Sequence, residues 1–320
     1  MKLGVMGALL GQMKLNEALD YCVRLGLDAI ELPAGGYPGD PWKLQGIARN
    51  KGKLAELKSK VADRGLEIHG IAVHGNPVHP NRKIAAEHHQ AHRDAVLLAA
   101  EFKTVVINFS GCPGGAPGDK TPNWPTCPWP TEFSEIAEYQ WNKVVIPFWT
   151  RENDFAGKHG VKIAFEAHPG FLVHNPEDIV RLRKAAGNQL GANLDPSHFF
   201  WQGINPVEAA RYLGEHQCLF HVHAKDCGID PRNSGTYGNL ETKSYGDVKN
   251  RSWVFRTVGW GHGEEFWRPF LSMLRLYGYD GVISIEHEDS LMSVNEGFEK
   301  AVEFLKGMIL RQPIGKAWWF

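Results

Sequence analysis

Four apolar segments in the second half of the chain end in side chains that can bind a metal or carry a proton. They read IAFEAH at 163–168, ANLDPSH at 192–198, HVHAKD at 221–226 and ISIEHE at 283–288. Glu166, Asp195 and Glu286 would supply three carboxylates, and His221 or His223 would supply an imidazole. This ligand set suits Mn2+, Mg2+ or Co2+, and Zn2+ is also possible. Because three clustered carboxylates would repel one another without a cation, the residue types predict one divalent metal site if the segments meet.

The elements that would bring these segments together are eight strands that alternate with eight helices. Apolar, β-rich runs predict strands at 3–6, 29–32, 68–73, 104–108, 162–166, 191–194, 219–223 and 281–286. Amphipathic stretches predict helices near 14–25, 51–64, 81–101, 132–159, 176–187, 205–214, 264–277 and 292–310. Asn175-Pro176 and Asn205-Pro206 each place a capping residue before a proline suited to the first helical turn. Gly160 and Gly278 stand where helices should end.

This alternation predicts an α/β fold in which a parallel sheet closes into a (β/α)8 TIM barrel. Residues 1–320 would form a single barrel domain. Side chains at the carboxyl ends of barrel strands share one mouth, so the four polar segments would converge there. A doubly wound open sheet is the alternative, but no GxGxxG motif follows the first strand.

Two long connections would follow the fourth and seventh strands and so lie at the same mouth. Residues 110–131 are rich in Gly, Pro and Trp, and residues 226–262 form a second irregular stretch. Loops of this length in a compact domain are usually lids or substrate walls. A structural embellishment or an oligomer contact is the alternative.

Other side chains could line the mouth and contact a substrate. Glu31, His74 and Asn108 end the second, third and fourth strands, although Glu31 could form a rim salt bridge and His74 a loop hydrogen bond. Arg256 could bind a carboxylate or phosphate, or lie in solvent. Sugar rings could stack on tryptophans, which are also common in cores and interfaces: Trp124, Trp129, Trp201 and Trp260.

The polar motifs together resemble the sugar phosphate isomerase/epimerase family. They are FEAHPG from Phe165, NLDPSH from Asn193, HVHAKD from His221 and IEHED from Ile285. This family belongs to the xylose isomerase-like TIM barrels, with the ketose 3-epimerases, the inosose-processing enzymes and endonuclease IV. The resemblance extends over nearly the whole chain and is densest from 160 to 290. It therefore implies the same barrel fold and a metal centre.

The resemblance also assigns the metal ligands. The histidine that it selects lies two residues before Lys225, whereas strand alternation alone would allow either histidine of HVHAKD to reach the metal. Mn2+ is the expected ion, with Mg2+, Co2+ or Zn2+ as alternatives. The ligands implied in this way are Glu166, Asp195, His223 and Glu286.

Catalytic and substrate-binding roles follow from the same resemblance. As in the ketose epimerases, Glu166 and Glu286 would double as an acid/base pair on opposite faces of the substrate. His198, three residues after Asp195, would contact the substrate or carry a proton, and His168 is a further candidate. The additional substrate contacts expected at the mouth are His221 and Lys225, beside those named above.

The first functional hypothesis is a metal-dependent isomerase or epimerase that acts on a sugar or keto-sugar through an enediolate. A lyase of the same family is the alternative, either a dehydratase or an enzyme that cleaves a 3-oxo-glycoside or C-glycoside by β-elimination, with His168 or His198 as base. DNA repair, as in endonuclease IV, is disfavoured because no Asp-x-His pair follows His223. A non-catalytic partner subunit is disfavoured because all four implied ligands are present.

Composition narrows the class of partner. The net charge of -1 gives no global field that would attract nucleic acid or an anionic membrane, and no apolar run is long enough to cross a bilayer. Five scattered cysteines without a CxxC pair favour a reducing compartment and predict a cytoplasmic enzyme. The aromatic C-terminus, Trp318-Trp319-Phe320, is expected to pack on the barrel exterior or a neighbouring subunit, and a homo-oligomer is predicted.

Overall fold

Eight parallel strands close into a barrel in a computed structural model that describes residues 1–316, 318 and 319. The strands are β1 (Lys2–Met6), β2 (Ala29–Pro33), β3 (Glu67–Ala72), β4 (Val105–Asn108), β5 (Lys162–Glu166), β6 (Leu190–Leu194), β7 (Leu219–Ala224) and β10 (Val282–Ile285). Each strand pairs with the next in this order, and the barrel closes where β10 pairs with β1. The predicted TIM barrel is thereby confirmed.

Helices surround the barrel and connect successive strands. They are α1 (Leu15–Arg24), α2 (Lys51–Ala62), α3 (Arg82–Phe102), α4 (Glu132–Tyr139), α5 (Ile146–Lys158), α6 (Pro176–Ala186), α7 (Pro196–Phe200), α8 (Pro206–Glu215), α9 (Pro231–Tyr237), α10 (Glu264–Leu276) and α11 (Val294–Lys306). A π-helical segment, Gln140–Val145, joins α4 to α5, so that the long helix predicted at 132–159 is interrupted.

Local signals in the sequence set several helix ends. The Asn175 side chain accepts from the Asp178 backbone N–H at 2.9 Å, and Asn205 accepts from Val207 N–H at 2.9 Å. Gly160, which follows α5, has φ +68°, a left-handed conformation that glycine adopts without strain. These signals define where α6 and α8 begin and where α5 ends.

The chain between β7 and α10 adds a small unit above the barrel. Strands β8 (Asp226–Ile229) and β9 (Trp253–Arg256) pair in antiparallel fashion, with α9 between them. The prediction that 226–262 is irregular was therefore wrong for these segments. A separate apolar cluster supports this unit: Trp201, Cys227, Trp253 and Phe255. We call β8, β9 and their connection the hairpin wall.

Asp226, the first residue of β8, fixes the hairpin wall to the barrel. Its buried carboxylate accepts from the backbone N–H groups of Gly259, Gly261 and His262 at 3.1, 3.2 and 2.9 Å, and from Nδ1 of His262 at 2.8 Å. Hydrogen bonds to a buried charged acceptor are stronger than neutral ones, so one side chain holds both ends of the 226–262 excursion together.

The other long connection and the C-terminus do not form a comparable structural unit. Residues 110–131, all of which the structure describes, contain neither helix nor strand. Trp318 is 89% exposed and does not pack on the barrel exterior, while Phe320 lies outside the described residues. The five cysteines are free thiols. Among the described helices, none has the length and apolar character needed to cross a membrane.

Candidate metal centre and active site

Four candidate ligands from four neighbouring strands meet at the barrel mouth. Glu166 ends β5, Asp195 follows β6, His223 lies in β7, and Glu286 follows β10. One ligand atom from each lies within 4.8 Å of all the others. Nδ1 of His223 is 3.0 Å from Glu166 Oε2 and 3.1 Å from Glu286 Oε2. The four strand ends predicted to converge are therefore together in space.

Opposite charges keep the acidic groups of this cluster ionised despite their burial. Burial alone would raise the pKa of Glu166, but the nearby His74, His198 and His223 hold it well below its usual value. Burial opposes ionisation of Glu286 in the same way, and Lys225 and His223 lower its pKa. Burial disfavours the charged form of His223, yet the Glu31, Glu166 and Glu286 carboxylates raise its pKa well above the ordinary value.

Two carboxylate oxygens at the centre of the cluster are available for a cation. Asp195 Oδ2 and Glu286 Oε2 are buried and accept no hydrogen bond. Each lies within ion-pair distance of Lys225 Nζ, at 3.2 and 3.1 Å, but neither contact has hydrogen-bond geometry. Buried carboxylate oxygens are normally hydrogen-bonded or bound to a metal. The residues present therefore fit a divalent cation.

Three further histidines surround Glu166. His74 Nε2 lies 3.3 Å from Glu166 Oε2, and His198 Nε2 lies 3.1 Å from Glu166 Oε1. The ring of His168 is 4.2 Å from that of His198, between centroids, and its Nδ1 donates to the Pro169 carbonyl at 2.6 Å. Burial, reinforced by His198, lowers the pKa of His168 to about 3, so His168 is neutral at neutral pH.

A cavity of about 790 Å3 opens above this cluster. Glu166, Glu286, His74, His168, His198 and Lys225 line its metal side. Tyr37, Phe109 and Phe171 line one flank, where the Phe109 and Phe171 rings stack with centroids 4.1 Å apart. Tyr245 and Phe255 of the hairpin wall line the other flank, with centroids 5.8 Å apart.

Several residues predicted as substrate contacts do not line this cavity. Arg256 is ion-paired with Asp289 at 3.1 Å, and Trp201 stacks on Trp253 at 4.4 Å between ring centroids. Glu31 and His221 are buried inside the barrel. The tryptophans proposed as stacking surfaces are also absent from the lining: Trp124, Trp129 and Trp260.

Asn108 likewise faces away from the cavity. Its Oδ1 accepts from the Gly75 and Phe109 backbone N–H groups, both at 2.8 Å. This fixes the amide orientation, so Nδ2 donates to Nδ1 of the buried His92 at 3.2 Å. Asn108 therefore anchors the loop after β3 rather than contacting bound molecules.

The sequence did not reveal the aromatic flanks of the cavity or the buried Asn193. Phe109 directly follows β4 and Phe171 closely follows FEAHPG, so their proximity to strand ends was the available signal. Apolar residues at such positions cannot be told from core residues without the fold. Asn193 occupies a β6 position that reads as ordinary strand, although its side chain bridges Glu166 and His221 at 2.8 Å each.

Comparison with known proteins supports the architecture. The chain matches the family described as xylose isomerase-like TIM barrel over residues 19–308. It is 37% identical over 318 residues to the uncharacterized protein YfiH of Bacillus subtilis (strain 168), which covers 97% of this chain and 99% of YfiH.

Solved structures share the fold at low sequence identity. The IolI protein with a bound zinc atom superposes with a TM-score of 0.65 and 19% identity, covering 97% of this chain and 98% of IolI. The apo 3-keto-D-glucoside 4-epimerase YcjR of E. coli gives a TM-score of 0.63 and 13% identity, covering 96% and 99% of the two chains. The chain thus belongs to the xylose isomerase-like TIM barrel family.

Proposed function

We propose that this chain is a divalent-metal-dependent isomerase or epimerase that acts on an unphosphorylated sugar or keto-sugar through an enediolate. The observation that carries the proposal is the cluster of Glu166, Asp195, His223 and Glu286, of which Glu166 and Glu286 line the cavity. One buried oxygen each on Asp195 and Glu286 accepts no hydrogen bond, which supports metal binding there. The zinc reported for IolI adds support from a protein of the same fold.

The four clustered side chains would hold the metal, and we propose Mn2+ because three of the four ligand groups are carboxylates. When bound, the ion would polarise a substrate carbonyl and stabilise negative charge on its oxygen. His223 would use Nδ1, the ring nitrogen that faces Glu166 and Glu286.

Glu166 and Glu286 are our candidates for moving the substrate proton. Both carboxylates have lowered pKa values, so they are ionised at neutral pH and can accept a proton from a carbon next to a carbonyl. Low basicity makes them weak bases, and carbonyl polarisation compensates by acidifying the substrate. They lie on β5 and just after β10, on either side of His223, which supports proton removal on one face and return on the other.

Charge and apolar surface around the cavity support an unphosphorylated substrate. Among the cavity-lining residues, Lys225 is the sole lysine or arginine. Its ammonium is already shared by Asp195, Glu286 and Glu288 at 3.1–3.2 Å, which leaves no free cation for a phosphate. The two aromatic flanks provide apolar faces of the kind on which sugar rings stack.

Cavity size favours keeping the lyase as a second candidate. At about 30 Å3 per water-sized group, 790 Å3 corresponds to roughly 26 such groups, more than twice the non-hydrogen atoms of a hexose. A glycoside with a large substituent would therefore fit. His168 lines the cavity and is not a candidate metal ligand, so it is our candidate base for β-elimination, although its lowered pKa makes it a weak one.

The experiment combines metal analysis with a substrate screen. Purified protein is stripped with chelator and reloaded with Mn2+, Mg2+, Co2+ or Zn2+. It is then incubated with keto-sugars and 3-oxo-glycosides in D2O, and the products are followed by NMR. Deuterium exchange without loss of a substituent supports the isomerase or epimerase, whereas loss of the substituent supports the lyase. No bound metal and no activation by any of the four ions would overturn both.

A pair of matched variants tests the site. We expect Glu286→Gln to weaken metal binding and abolish exchange, because it removes a ligand charge and a proton carrier. Glu303→Gln makes the same chemical change on the exposed face of α11 and should behave as wild type. Undiminished turnover by Glu286→Gln would sink the assignment of this residue.

Location and assembly are further proposals. The five free cysteines favour a reducing compartment, and we infer a cytoplasmic enzyme, which cell fractionation would check. The predicted homo-oligomer would be measured by light scattering coupled to gel filtration.

A further inference from the structure

A layer of buried polar side chains lies inside the barrel directly below the candidate metal centre. Glu31, His69, Asn193, His221 and Ser284 are each at most 8% exposed. One part of this layer, Glu31 with His221 and His223, has ligand atoms close enough to hold a second metal. His223 belongs to both clusters. The layer could therefore either bind a second ion or orient His223 as a ligand of the first.

The amide of Asn193 fixes the protons on one side of this layer. Its Nδ2 lies 2.8 Å from Glu166 Oε2, an oxygen that can only accept, so the amide orientation is set. Asn193 Oδ1 then faces Nδ1 of His221 at 2.8 Å, and this nitrogen must donate. The other nitrogen of a neutral His221, Nε2, carries the lone pair and accepts from His69 Nδ1 at 3.0 Å. The Asn193 amide oxygen and the lone pair of His221 each accept a hydrogen bond.

Glu31 fixes the proton on the other side. Its Oε2 lies 2.9 Å from Nε2 of His223 and accepts from Ser284 Oγ at 3.1 Å. Because the carboxylate accepts, Nε2 of His223 carries a hydrogen. The remaining nitrogen, Nδ1, faces Glu166 and Glu286 and accepts from Asn193 Nδ2 at 3.1 Å, so in this tautomer it carries the lone pair that a metal would use. A carboxylate that accepts the second N–H of a ligating histidine fixes its orientation and increases its basicity as a ligand.

A glycine makes room for this arrangement. A Cβ on Gly70 of β3 would lie 3.2 Å from Glu31 Cγ, 3.4 Å from His221 Nε2 and 2.5 Å from Ile107 Cδ1. An alanine at this position would force Ile107 to shift and would press on Glu31, while its contact with His221 would be an ordinary van der Waals contact. The glycine therefore helps to leave room for Glu31 in the layer.

We propose that Glu31, Asn193 and His221 are positioning residues that present Nδ1 of His223 to a single metal, and that Glu31, His221 and His223 bind no second metal. This inference rests on the proposed metal centre. It assigns Glu31 and His221, which the sequence suggested as substrate contacts, to the support of His223.

The test uses 15N-histidine NMR and calorimetry on the full chain. In the Zn2+-loaded protein we expect His223 to show a metal-bound Nδ1 and a protonated Nε2, with one Zn2+ per chain. Glu31→Leu should weaken Zn2+ and Mn2+ binding about 10- to 100-fold. Glu31→Gln keeps an acceptor for the Nε2 hydrogen and should recover most of the affinity. Asn193→Leu should also weaken binding, because Glu166 and His221 lose their shared partner.

The control is Glu152→Gln, which alters another fully buried carboxylate that accepts a hydrogen bond from a histidine but lies on helix α5. Glu152 accepts from His89 and Arg93 and touches none of the proposed ligands, so metal affinity should not change. Circular dichroism reports folding of each variant.

Three outcomes would overturn the inference. They are two metals per chain, ligation of Zn2+ by His223 Nε2, or wild-type affinity in a folded Glu31→Leu protein. The NMR result on the wild type decides the tautomer even if Glu31→Leu fails to fold. Failure of the wild type to bind any metal would instead remove the proposed function itself, so the two failures can be distinguished.

Discussion

Replacing Lys225 with methionine should increase the affinity for metal and lower the unfolding free energy of the metal-free protein. Nζ of this buried lysine lies 3.2 Å from Asp195 Oδ2 and 3.1 Å from Glu286 Oε2. A small divalent ion about 2.1 Å from these oxygens would be at most about 5.3 Å from the ammonium. At an effective dielectric constant of about 20, charges of +2 and +1 at this distance repel by about 6 kcal/mol.

Structural relaxation and water will absorb part of this repulsion, so we expect Lys225→Met to increase Mn2+ affinity at least about tenfold, or about 1.4 kcal/mol. Without metal the effect reverses, because Asp195, Glu286 and Glu288 lose their shared cation. Breaking a buried ion pair costs about 3–5 kcal/mol, and the unfolding free energy of the apo variant should fall by a similar amount. A gain in Mn2+ affinity together with a loss of stability in the metal-free protein is the result that identifies this mechanism.

The assays are Mn2+ calorimetry on chelator-stripped protein and urea unfolding with and without Mn2+. Lys58→Met is the matched control, since Lys58 pairs with Glu101 at 2.7 Å on the surface and should affect neither quantity by more than about 1 kcal/mol. Mn2+ affinity in Lys225→Met equal to or below that of the wild type would refute the reasoning. It would mean that the lysine organises the ligands more than it repels the ion.

Three further predictions concern stability. Mn2+ at 100 times its dissociation constant should raise the unfolding free energy by about 2.7 kcal/mol, and chelator should reverse the gain. A urea unfolding transition that responds to neither Mn2+ nor chelator would contradict the metal centre. Burial lowers the pKa of His92 from its ordinary 6.5 to about 4, so the unfolded chain takes up the proton first. His92 alone should therefore cost about 3 kcal/mol of unfolding free energy as the pH drops from about 6.5 to 4, in addition to the losses from His69 and His168, whose pKa values are also lowered by burial. Urea unfolding of His92→Phe should show a loss about 3 kcal/mol smaller than that of the wild type, and equal losses would show that His92 is not responsible. Asp226→Asn removes the charge that three backbone N–H groups share, so the unfolding free energy should fall by about 2–4 kcal/mol. Limited proteolysis should then cut the hairpin wall faster than in the wild type. An unchanged rate of proteolysis would argue against this anchoring role.

The barrel could be predicted because the sequence repeats one simple pattern. Each predicted strand is an apolar run bounded by polar residues, and all eight coincide with barrel strands to within one or two residues. The hairpin wall was not predicted because β8 and β9 are four residues each and 23 residues separate them (230–252). Short strands far apart in sequence carry too little periodicity to indicate pairing.

The candidate ligands were accessible to sequence analysis for a related reason. Glu166, Asp195 and Glu286 lie at or just beyond strand ends, and barrel geometry alone directs such positions to one mouth. The pairing of Glu31 with His223 was not predictable, because it joins residues 192 positions apart across the barrel interior. The tryptophans were misleading, since stacking capacity is a property of the residue but access to the cavity is a property of the fold.

The separate apolar cluster of the hairpin wall has a consequence for how this barrel can change. Trp201, Cys227, Trp253 and Phe255 pack on one another rather than joining the main core. Asp226 ties the wall down through the backbone N–H groups of Gly259 and Gly261, where Gly259 has φ +86° and a Cβ on Gly261 would lie 2.5 Å from the Cys227 carbonyl oxygen. The flank formed by Tyr245 and Phe255 can therefore be rebuilt while the candidate metal ligands stay in place on the barrel strands. For protein engineering, the segment between Asp226 and Gly259 is an exchangeable cassette, through which a new cavity shape can be introduced while the anchor and the barrel strands are kept.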